Sequence, residues 1–449
     1  MNVDSYRQNA NMLIRNPDDA EALVNQFANV SEKRENGRHY YYLAKRAYQL
    51  SPNEINTAFN YGSACHRTGR FKDSLRVYQH CARLVDADPS LDVEWKGKVI
   101  HHIGIAHRTL NQNKQAIEQY EKAHAVNGRP EVLKDRALAM LADGQLYEGL
   151  KAFEVRRETA VQKLIENGGN LVTQQKLPAG VVHWQGEDLN GKSVCIYHEE
   201  GSGDFIQFCR FIPKLRGLGV SKVSLTGPLV DLLHMVSDNV EVDDIEPLDG
   251  PIQSDYVLGS MSLPWRCGVD WKDVNGRPYL KAEPANLPSR GKLNVGLVWK
   301  GNPSYGMNVH RSMAFTEYAP LFDLPGVAFH SLQVGPPGLE VTEAGFDGFV
   351  ANLEPFMPNW RATARVMQAL DVVVSVDTAC AHLAGALGKP VFTLVTNACD
   401  WRWDRNSDRS VWYDSMRVIR QKRQDDWSHC IQEVKERLQG MVNDRRQAA

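Results

Sequence analysis

The spacing of hydrophobic and polar positions changes along the chain and predicts two kinds of structure. Up to about residue 157, apolar residues recur with the three-to-four-residue spacing of amphipathic helices. From about residue 185 they form short apolar runs separated by helical stretches, which is typical of alternating strands and helices. We therefore predict an all-helical N-terminal part followed by an α/β part.

The helical part repeats one pattern: a small residue, a second small residue twelve positions later, and an aromatic residue four positions after that. The three copies are Gly62, Ser74 and Tyr78; Gly104, Ala116 and Tyr120; and Ala137, Gly149 and Phe153. Small side chains let antiparallel helices cross closely, and the aromatic ring fills the gap to the next hairpin. The pattern predicts stacked helical hairpins, with one insertion at 86–98.

Two roles fit such a stack of hairpins. Its concave surface could grip a protein or peptide partner, or the stack could serve only to pack against the next domain or to dimerise. Three histidines of the repeats are expected to be solvated polar surface without a catalytic or metal-binding role. They are His101, His102 and His107.

The second part contains apolar runs that predict strands. The predicted strands are 193–198, 222–226, 255–258, 294–299, 327–332, 372–376 and 391–395. Their alternation with helical stretches implies parallel sheets with right-handed crossovers. A proline-rich break at 281–292 divides them into two Rossmann-like lobes that face a cleft, and such sheets bind ligands at the carboxyl ends of their strands.

This organisation predicts three domains. Helical repeats occupy 1–165, a first lobe occupies 166–285, and a second lobe with a terminal helix occupies 286–449. A polar connector containing Gly168 and Gly169, and the turn-prone segment 177–180, precede the first lobe.

The first lobe offers a carboxylate at the start of a helix. The loop at 199–204 ends in Asp204, and the helix is predicted to begin near Phe205. Gly201 and Gly203 permit a tight turn and close approach of a ligand. The helix dipole favours the charged form of Asp204, which is then ready to accept a proton. An ordinary N-cap is the alternative role for this aspartate.

The second lobe offers an anion site. Asp377 and Thr378 follow the strand at 372–376 and open an apolar helix, whose N-terminal amides suit a diphosphate. His382 lies one turn beyond Thr378 and can face the same side. Simple helix capping is the alternative role for Asp377 and Thr378.

Two further segments carry polar and aromatic groups. Lys300, Gly301 and Asn302 precede a loop expected to be mobile, and Arg311 and Ser312 follow it. Such groups would neutralise a leaving diphosphate, with surface salt bridging as the alternative role for Arg311. The segment at 400–413 either lines the ligand pocket or packs the lobes together. Packing is the favoured role of its two tryptophans, Trp401 and Trp403.

Composition limits where in the cell we expect the protein and which partners its charge would attract. The net charge of −2 provides no general attraction to nucleic acid or anionic membrane, so a nucleic-acid acceptor is an alternative that charge does not favour. The N-terminal residues lack the features of a secretory signal, and no apolar run reaches the length of a membrane span, so we expect a cytoplasmic protein. Eight scattered cysteines without a CxxC pair indicate reduced thiols, most of them in the core.

As an ordered set, five sequence motifs resemble one family. They are EEGSGDFIQF, VGLVWKGNP, SLQ, SVDTACAHLAGALGKP and DWRW. Over about 35–435 the chain resembles proteins in which tetratricopeptide (TPR) repeats precede a heptosyltransferase-like domain of the glycosyltransferase family 9 type. The resemblance implies a GT-B fold and transfer of a sugar from a nucleotide-sugar donor to an acceptor hydroxyl. Direct displacement of the nucleotide would invert the anomeric centre.

The resemblance also implies roles for individual residues. Asp204 is the general base, Arg311 replaces the family's usual lysine at the donor phosphates, and Asp377, Thr378 and His382 bind the donor. The donor side further includes Lys300, Gly301, Asn302, Ser312 and Gln333. The acceptor side comprises Glu200, Gly201, Ser202, Gly203 and Gln207. Of these, Glu200 and Ser202 depart from the family's usual first loop.

We expect no cofactor beyond the nucleotide-sugar substrate, and no metal. No DxD-like pair stands at the end of a predicted cleft strand, and Asp243 and Asp244 lie in an acidic stretch expected to be solvated. A non-catalytic function stays open as an alternative. The repeats would hold partners while the α/β part is a retired transferase that binds a nucleotide or nothing.

Overall fold

The chain forms two compact units, Met1–Thr159 and Ala160–Ala449. The computed structural model describes residues 3–31, 37–158, 177, 180–287, 292–303 and 308–448. The predicted boundary between repeats and first lobe, at 165/166, lies outside the described residues, as do Gly168 and Gly169. The exact domain limits therefore stay predictions.

The first unit is built of helices that pair in sequence order. They are α1 (Val3–Arg15), α2 (Ala20–Ser31), α3 (Gly37–Leu50), α4 (Ile55–Arg67), α5 (Phe71–Ala87), α6 (Val93–Thr109), α7 (Asn113–Asn127), α8 (Pro130–Ala142) and α9 (Leu146–Ala152). The connections are short, so consecutive helices form antiparallel hairpins. The predicted insertion at 86–98 consists of a turn together with extra turns of helix in α5 and α6, which are 17 residues each.

Small residues and aromatic rings meet inside these hairpins. A Cβ on Gly62 would lie 2.7 Å from the Tyr78 ring, and one on Gly104 would lie 2.6 Å from the Tyr120 ring. The Ser74 hydroxyl also donates to the Gly62 carbonyl at 2.9 Å. Each tyrosine thus packs first against its own hairpin, and Tyr78 also reaches His102 of the next hairpin, with ring centroids 5.3 Å apart.

The prediction that His101 and His102 are solvated surface was wrong. His101 lies 2.8 Å from an Asp135 carboxylate oxygen, and Arg108 is paired with the same carboxylate at 3.3 Å. The His102 ring packs among aromatic rings, 4.7 Å from Phe59. The stacking of successive repeats covers a face that would be exposed on an isolated hairpin.

The second unit contains two sheets of parallel strands. The first sheet has the order β3-β2-β1-β4 and the second has the order β10-β9-β8-β5-β6-β7. The strands are β1 (Ser193–Tyr197), β2 (Lys222–Thr226), β3 (Asp244–Ile245), β4 (Tyr256–Gly259), β5 (Leu293–Val298), β6 (Val327–Ser331), β7 (Val350–Asn352), β8 (Val372–Val376), β9 (Val391–Val395) and β10 (Met416–Arg420). All seven predicted strands are confirmed, to within one residue at each end.

Helices connect the strands of this unit. They are α10 (Ser202–Phe208), α11 (Pro213–Arg216), α12 (Val230–Ser237), α13 (Leu263–Arg266), α14 (Asn308–Arg311), α15 (Glu340–Glu343), α16 (Trp360–Ala369), α17 (Ala379–Ala386) and α18 (Ser428–Ala448). We call the part built on the first sheet the first lobe, and the part built on the second sheet the second lobe. The fold is therefore a helical repeat region followed by an α/β unit of two Rossmann-like lobes, as predicted.

The second lobe has a continuous apolar core. The residues of β8 read VVVSV, and all five are buried because helices cover both faces of a parallel sheet. The last helix, α18, adds Val434, Leu438 and Val442 to this core. A rigid sheet with a well-packed core holds the loops at its carboxyl edge in fixed positions.

The state of the cysteines and the apolar character of the helices can be compared with the expectations from composition. All eight cysteines lie in the described part of the chain, unpaired, and five of them are buried. In the described ranges, no helix combines the length and the apolar character needed to cross a membrane.

Candidate functional site

The carboxyl ends of the strands bring the predicted site loops together. β1 leads into the loop at 198–201, β8 leads into Asp377, and β9 leads into the segment at 396–403. In a parallel sheet these ends share one edge, so loops from different parts of each lobe converge there. The two lobes meet at this edge.

Asp204 is the third residue of α10, which begins at Ser202, three residues earlier than predicted. One carboxylate oxygen, Oδ2, accepts the Gly201 N–H at 3.0 Å, so the side chain closes the helix start. Glu200 precedes this turn with a left-handed backbone at φ 54°, which is unusual for a residue with a side chain. The loop is therefore tightly turned and directs Asp204 towards the second lobe.

The other oxygen of Asp204 contacts an arginine of the second lobe. Arg402 Nη2 lies 2.5 Å from Asp204 Oδ1, while its Nη1 and Nε contact Asp400 Oδ1 at 2.9 Å and Gln207 Oε1 at 2.5 Å. Each guanidinium nitrogen thus has its own acceptor. The Arg402 side chain is 9% exposed, whereas that of Asp204 is 25% exposed. Asp204 therefore remains accessible while its arginine partner is enclosed.

Opposing effects act on the acidity of Asp204. Burial raises the pKa of Asp204 above its usual value, and Glu200 and Asp400 raise it further, whereas Arg402 lowers it. The pKa of Arg402 is raised because Asp400 and Asp204 outweigh the effect of burial on the guanidinium. Asp204 is thus a carboxylate whose proton affinity is increased by its surroundings, which suits a group that accepts a proton.

The first turn of α10 packs directly on the start of α17. A Cβ on Gly203 would lie 2.9 Å from the His382 ring and 3.3 Å from the Ala379 Cα. Only glycine fits at this distance, because the contact on one side is backbone. Gly203 is in contact with α17, and Asp204 is the next residue. Asp204 therefore lies close to the N-terminus of α17.

Asp377 and Thr378 stand at the N-terminus of α17. Thr378 is the N-cap residue but its side chain does not cap the helix; its hydroxyl lies 3.1 Å from the Ser375 hydroxyl. Burial raises the pKa of Asp377 to about 6, and Asp400 adds to the effect, whereas Arg311 and Arg402 lower this pKa. The end of the helix thus combines a weakly acidic carboxyl with nearby cations.

His382 is buried behind this helix start. Its Nδ1 lies 2.9 Å from the Tyr413 hydroxyl, and its ring stacks at a tilt on Trp403 with centroids 5.3 Å apart. Burial lowers the pKa of His382 well below its usual value, and nearby arginines lower it further, so the imidazole is neutral. Together with the close approach of Gly203 in the first lobe, these contacts give His382 a packing role between the lobes, and its contact with a donor stays a prediction.

The predicted donor residues after β5 form one hydrogen-bonded group. The Gly301 N–H donates to Ser312 Oγ at 3.1 Å, and a Cβ on Gly301 would lie 2.6 Å from Arg311 Nη2. Arg311 Nε donates to Asn308 Oδ1 at 3.1 Å. Asn302 is exposed, and part of the loop predicted to be mobile lies outside the described residues, at 304–307. Arg311 is close enough to lower the pKa of Asp377, so this group belongs to the same site.

Gln333 and Lys300 contact protein groups in this structure. Gln333 Oε1 accepts the N–H groups of Trp299 at 3.2 Å and Lys300 at 3.0 Å, and its amide nitrogen donates to the Lys300 carbonyl at 3.3 Å. The Lys300 ammonium is paired with Glu340. Gln333 therefore holds the backbone after β5 in place, and donor contact by either side chain stays a prediction.

The sequence motifs did not single out Arg402 and Arg210, two of the arginines that join the lobes. Besides Arg402, Arg210 of the first lobe donates to the Trp412 carbonyl at 2.8 Å and lies 4.8 Å from the Tyr413 ring centroid. The arginine and tryptophan content of 400–413 was the signal that could have identified Arg402. Trp403, favoured for packing, is buried, and Trp401 is half-buried with its ring 5.9 Å from Trp412.

The two aspartates of the acidic stretch, Asp243 and Asp244, are engaged in ion pairs. Asp243 pairs with Arg216 and accepts the Val223 N–H at 2.7 Å, and Asp244 pairs with Lys222 at 2.7 Å. Both aspartates are exposed. In the described part of the chain, no group of three or more histidine, cysteine, aspartate or glutamate side chains could hold a metal ion.

Comparison with protein families identifies two regions. Residues 53–127 match the tetratricopeptide repeat family, and residues 339–432 match glycosyltransferase family 9 (heptosyltransferase). Protein FlbA of Caulobacter vibrioides is 26% identical over 359 residues, covering 72% of this chain. The match spans only 58% of FlbA, so the chain corresponds to part of that relative's length.

Solved structures show weaker likeness. MamA is 18% identical and covers 35% of this chain and 88% of its own, with a TM-score of 0.30. A mutant O-GlcNAc transferase of Thermobaculum terrenum is 13% identical and covers 96% of this chain and 93% of its own, with a TM-score of 0.31. Two stretches of the chain thus match known families: a tetratricopeptide-repeat region in the first unit, and a region similar to glycosyltransferase family 9 (heptosyltransferase) in the second.

Proposed function

We propose that the chain is a glycosyltransferase that moves a sugar from a nucleotide-sugar donor to an acceptor hydroxyl. One observation carries the proposal: Asp204 of the first lobe, partly exposed, stands beside the N-terminus of α17 in the second lobe. A proton acceptor and an amide-lined anion site are the two groups that direct displacement of a diphosphate needs. The match of 339–432 to glycosyltransferase family 9 supports the same reaction class.

The transfer proceeds by a single displacement. The acceptor hydroxyl gives its proton to the Asp204 carboxylate, and its oxygen forms a bond to the anomeric carbon of the sugar. The bond between that carbon and the phosphate oxygen breaks, and its electron pair leaves with the nucleoside diphosphate. Attack from the side opposite the leaving group inverts the anomeric centre.

Charge neutralisation of the leaving diphosphate is assigned to groups of the second lobe. The first N–H groups of α17 point out of its N-terminus, and Arg311 is close enough to act on Asp377 at that end. An arginine binds phosphate through a planar pair of N–H groups. These groups supply positive charge by themselves, so we propose a transfer that needs no metal ion and no cofactor.

The proposed acceptor is a hydroxyl of a protein or peptide that the repeats bind. The repeats stack through Gly62, Gly104 and their tyrosines, and stacked helical hairpins offer an extended surface for a polypeptide. The net charge of −2 does not favour a nucleic acid as the acceptor. We place the protein in the cytoplasm, where nucleotide sugars and reduced cysteines would both be present.

Asp204→Asn tests the role of the base. The amide cannot accept the proton, so we expect kcat to fall by about 10²- to 10⁴-fold while donor binding stays nearly unchanged. Transfer is measured by mass spectrometry with a mixture of nucleotide sugars and candidate acceptor proteins, and donor binding by calorimetry. Asp249→Asn, at an exposed aspartate of the first lobe, is the matched control and should transfer normally. Normal turnover by Asp204→Asn would refute the assignment.

A further inference from the structure

Arg402 contacts the proposed base directly, with Nη2 at 2.5 Å from Asp204 Oδ1, and the proposed reaction gives it no role. It lies outside the first lobe, 198 positions after Asp204, and its three guanidinium nitrogens contact Asp204, Asp400 and Gln207. Two of these acceptors, Asp204 and Gln207, belong to α10 and the third to its own loop. The guanidinium therefore joins the lobes through two contacts and is held to its own loop by the third.

We propose that Arg402 is the positioning residue for Asp204: it orients the carboxylate for proton transfer and does so only when the lobes are in contact. This role rests on the proposed function, in which Asp204 is the base. Arg402 itself contacts neither substrate in this proposal. It acts through the carboxylate that it holds.

The geometry supports an orienting role. Arg402 holds Oδ1 at 2.5 Å and the Gly201 N–H holds Oδ2 at 3.0 Å, so both oxygens have one donor each. A carboxylate oxygen can accept two hydrogen bonds, so each oxygen retains capacity for the acceptor hydroxyl. The partial exposure of Asp204 provides the access that the hydroxyl needs.

Packing around Arg402 favours one fixed geometry. The guanidinium carbon lies 4.6 Å from the Trp401 ring centroid and 5.7 Å from that of Phe208. Planar guanidinium groups stack on aromatic rings and donate in fixed directions, whereas an ammonium group does neither. A lysine at this position would supply the positive charge but could not contact three separate acceptors in the same way.

The charged groups around Asp204 set the direction of the pH effect. Arg402 lowers the pKa of Asp204, whereas Glu200 on the same loop and Asp400 on the facing segment raise it. Removal of Arg402 takes away the larger of two groups that lower this pKa, the other being the Gly201 N–H, so Asp204 would hold its proton to higher pH. Because the base must be unprotonated, the acidic limb of the kcat/KM profile would then move to higher pH.

Three variants test the proposal. Arg402→Gln should lower kcat by about 100-fold with little change in the donor KM, because a misplaced base costs rate and not binding. Arg402→Lys should keep the acidic limb of the profile near its wild-type position and still lose kcat, because it retains charge but not geometry. The control is Arg361→Gln, which removes another ion pair between the lobes, to Asp238 at 2.7 Å, and should leave kcat and the profile unchanged.

A titration gives a readout that needs no transfer. Carbon NMR of protein labelled at aspartate carboxyls, with Asp204→Asn to identify the signal, follows the protonation of Asp204 directly. We expect Arg402→Gln to move this titration to higher pH and Arg361→Gln to leave it in place. Melting temperatures identify variants that fail to fold. If Arg402→Gln does not fold, Arg402→Lys is the test. A lower kcat with an unchanged titration of Asp204 supports the positioning role, and an unchanged kcat overturns it.

The outcomes separate the two proposals. If Asp204→Asn abolishes transfer while Arg402→Gln and Arg402→Lys behave like Arg361→Gln, the positioning role is wrong and the base assignment stands. If no donor supports transfer but the titration of Asp204 moves in Arg402→Gln, the electrostatic contact is real and the proposed reaction is wrong. An unchanged titration together with unchanged kcat overturns the role of Arg402.

Discussion

At the end of β1, His198 is an imidazole that its surroundings keep neutral. It is 6% exposed and its ring centroid lies 5.2 Å from that of Phe205 in α10. Burial lowers the pKa of His198 from 6.5 to about 4. Because the unfolded chain takes up a proton at higher pH than the folded one, acid favours unfolding. The stability that depends on His198 is complete above about pH 6.5 and is lost as the pH falls towards 4.

His198→Gln should remove this pH dependence. The difference between the two pKa values corresponds to about 3 kcal/mol in the free energy of unfolding between pH 7 and pH 4. The variant is expected to be less stable than the wild type at pH 7 and to approach it as the pH falls. Urea unfolding at several pH values, followed by tryptophan fluorescence, measures this because all tryptophans except Trp95 lie in the second unit.

Phe205→Leu is the control for this measurement. It removes ring packing against His198 without changing a titratable group, so it should lower stability by a similar amount at each pH. Equal pH slopes for His198→Gln and the wild type would show that His198 is not protonated more readily on unfolding.

At the level of single residues, the sequence predicted where candidate site residues lie along the chain better than which residues they contact. Asp204, Asp377 and Thr378 stand where a strand meets a glycine-bearing loop or an apolar helix, and local patterns reveal such positions. Arg402 was not predicted because its contacts with Asp204 and Gln207 span 198 and 195 positions. No local spacing encodes a contact between residues that are joined only by the docking of two lobes.

Among the elements, the helices of the repeats depend on glycines at their crossings. Gly104 lies in α6, where glycine ordinarily weakens a helix by about 1 kcal/mol relative to alanine. Here an added methyl carbon would lie 2.6 Å from the buried Tyr120 ring. Tyr120 cannot move aside easily, because it is fully buried among neighbouring helices. The steric cost therefore outweighs the gain in helix propensity.

The same substitution should have opposite signs at two helical glycines. Gly104→Ala is expected to lower the free energy of unfolding by about 1–3 kcal/mol through overpacking. Gly440→Ala, in the exposed part of α18 with no atom within 4 Å of the added Cβ, should raise it by up to about 1 kcal/mol. Circular dichroism follows the repeats and tryptophan fluorescence the second unit. Stabilisation by Gly104→Ala would contradict the close crossing.

Strands were predicted correctly where all of their residues are buried and therefore form a run of mostly apolar residues. β8 and β9 are runs of buried apolar residues and were predicted to the residue. β3 is two residues long, β7 is a three-residue edge strand with two exposed residues, and β10 (MRVIR) is an edge strand with two arginines among five residues. Such strands owe their conformation to pairing with a neighbour and carry little pattern of their own. The sequence therefore missed all three.

On the scale of the whole second unit, the lobes are joined by several separate contacts. Besides Arg402 and Arg210, Arg361 pairs with Asp238, and the Trp360 N–H donates to Asp231 at 2.8 Å. The contact between the lobes therefore involves α12 and α16 as well as the loops of the proposed site. A nucleotide bound at α17 would add a further link to the same interface, and ligand binding to the folded state stabilises that state.

A panel of nucleoside diphosphates should consequently stabilise the second unit, and one member of the panel more than the others. At 100 times its dissociation constant a ligand adds about 2.7 kcal/mol, which raises the melting temperature by a few degrees for a unit of this size. Arg311→Ala should lose most of the shift, because it removes a cation beside Asp377, whereas Arg361→Ala should retain it. Thermal unfolding followed by tryptophan fluorescence gives the measurement. If no nucleoside diphosphate shifts the wild type, the α/β unit is a retired transferase and the repeats act as a scaffold.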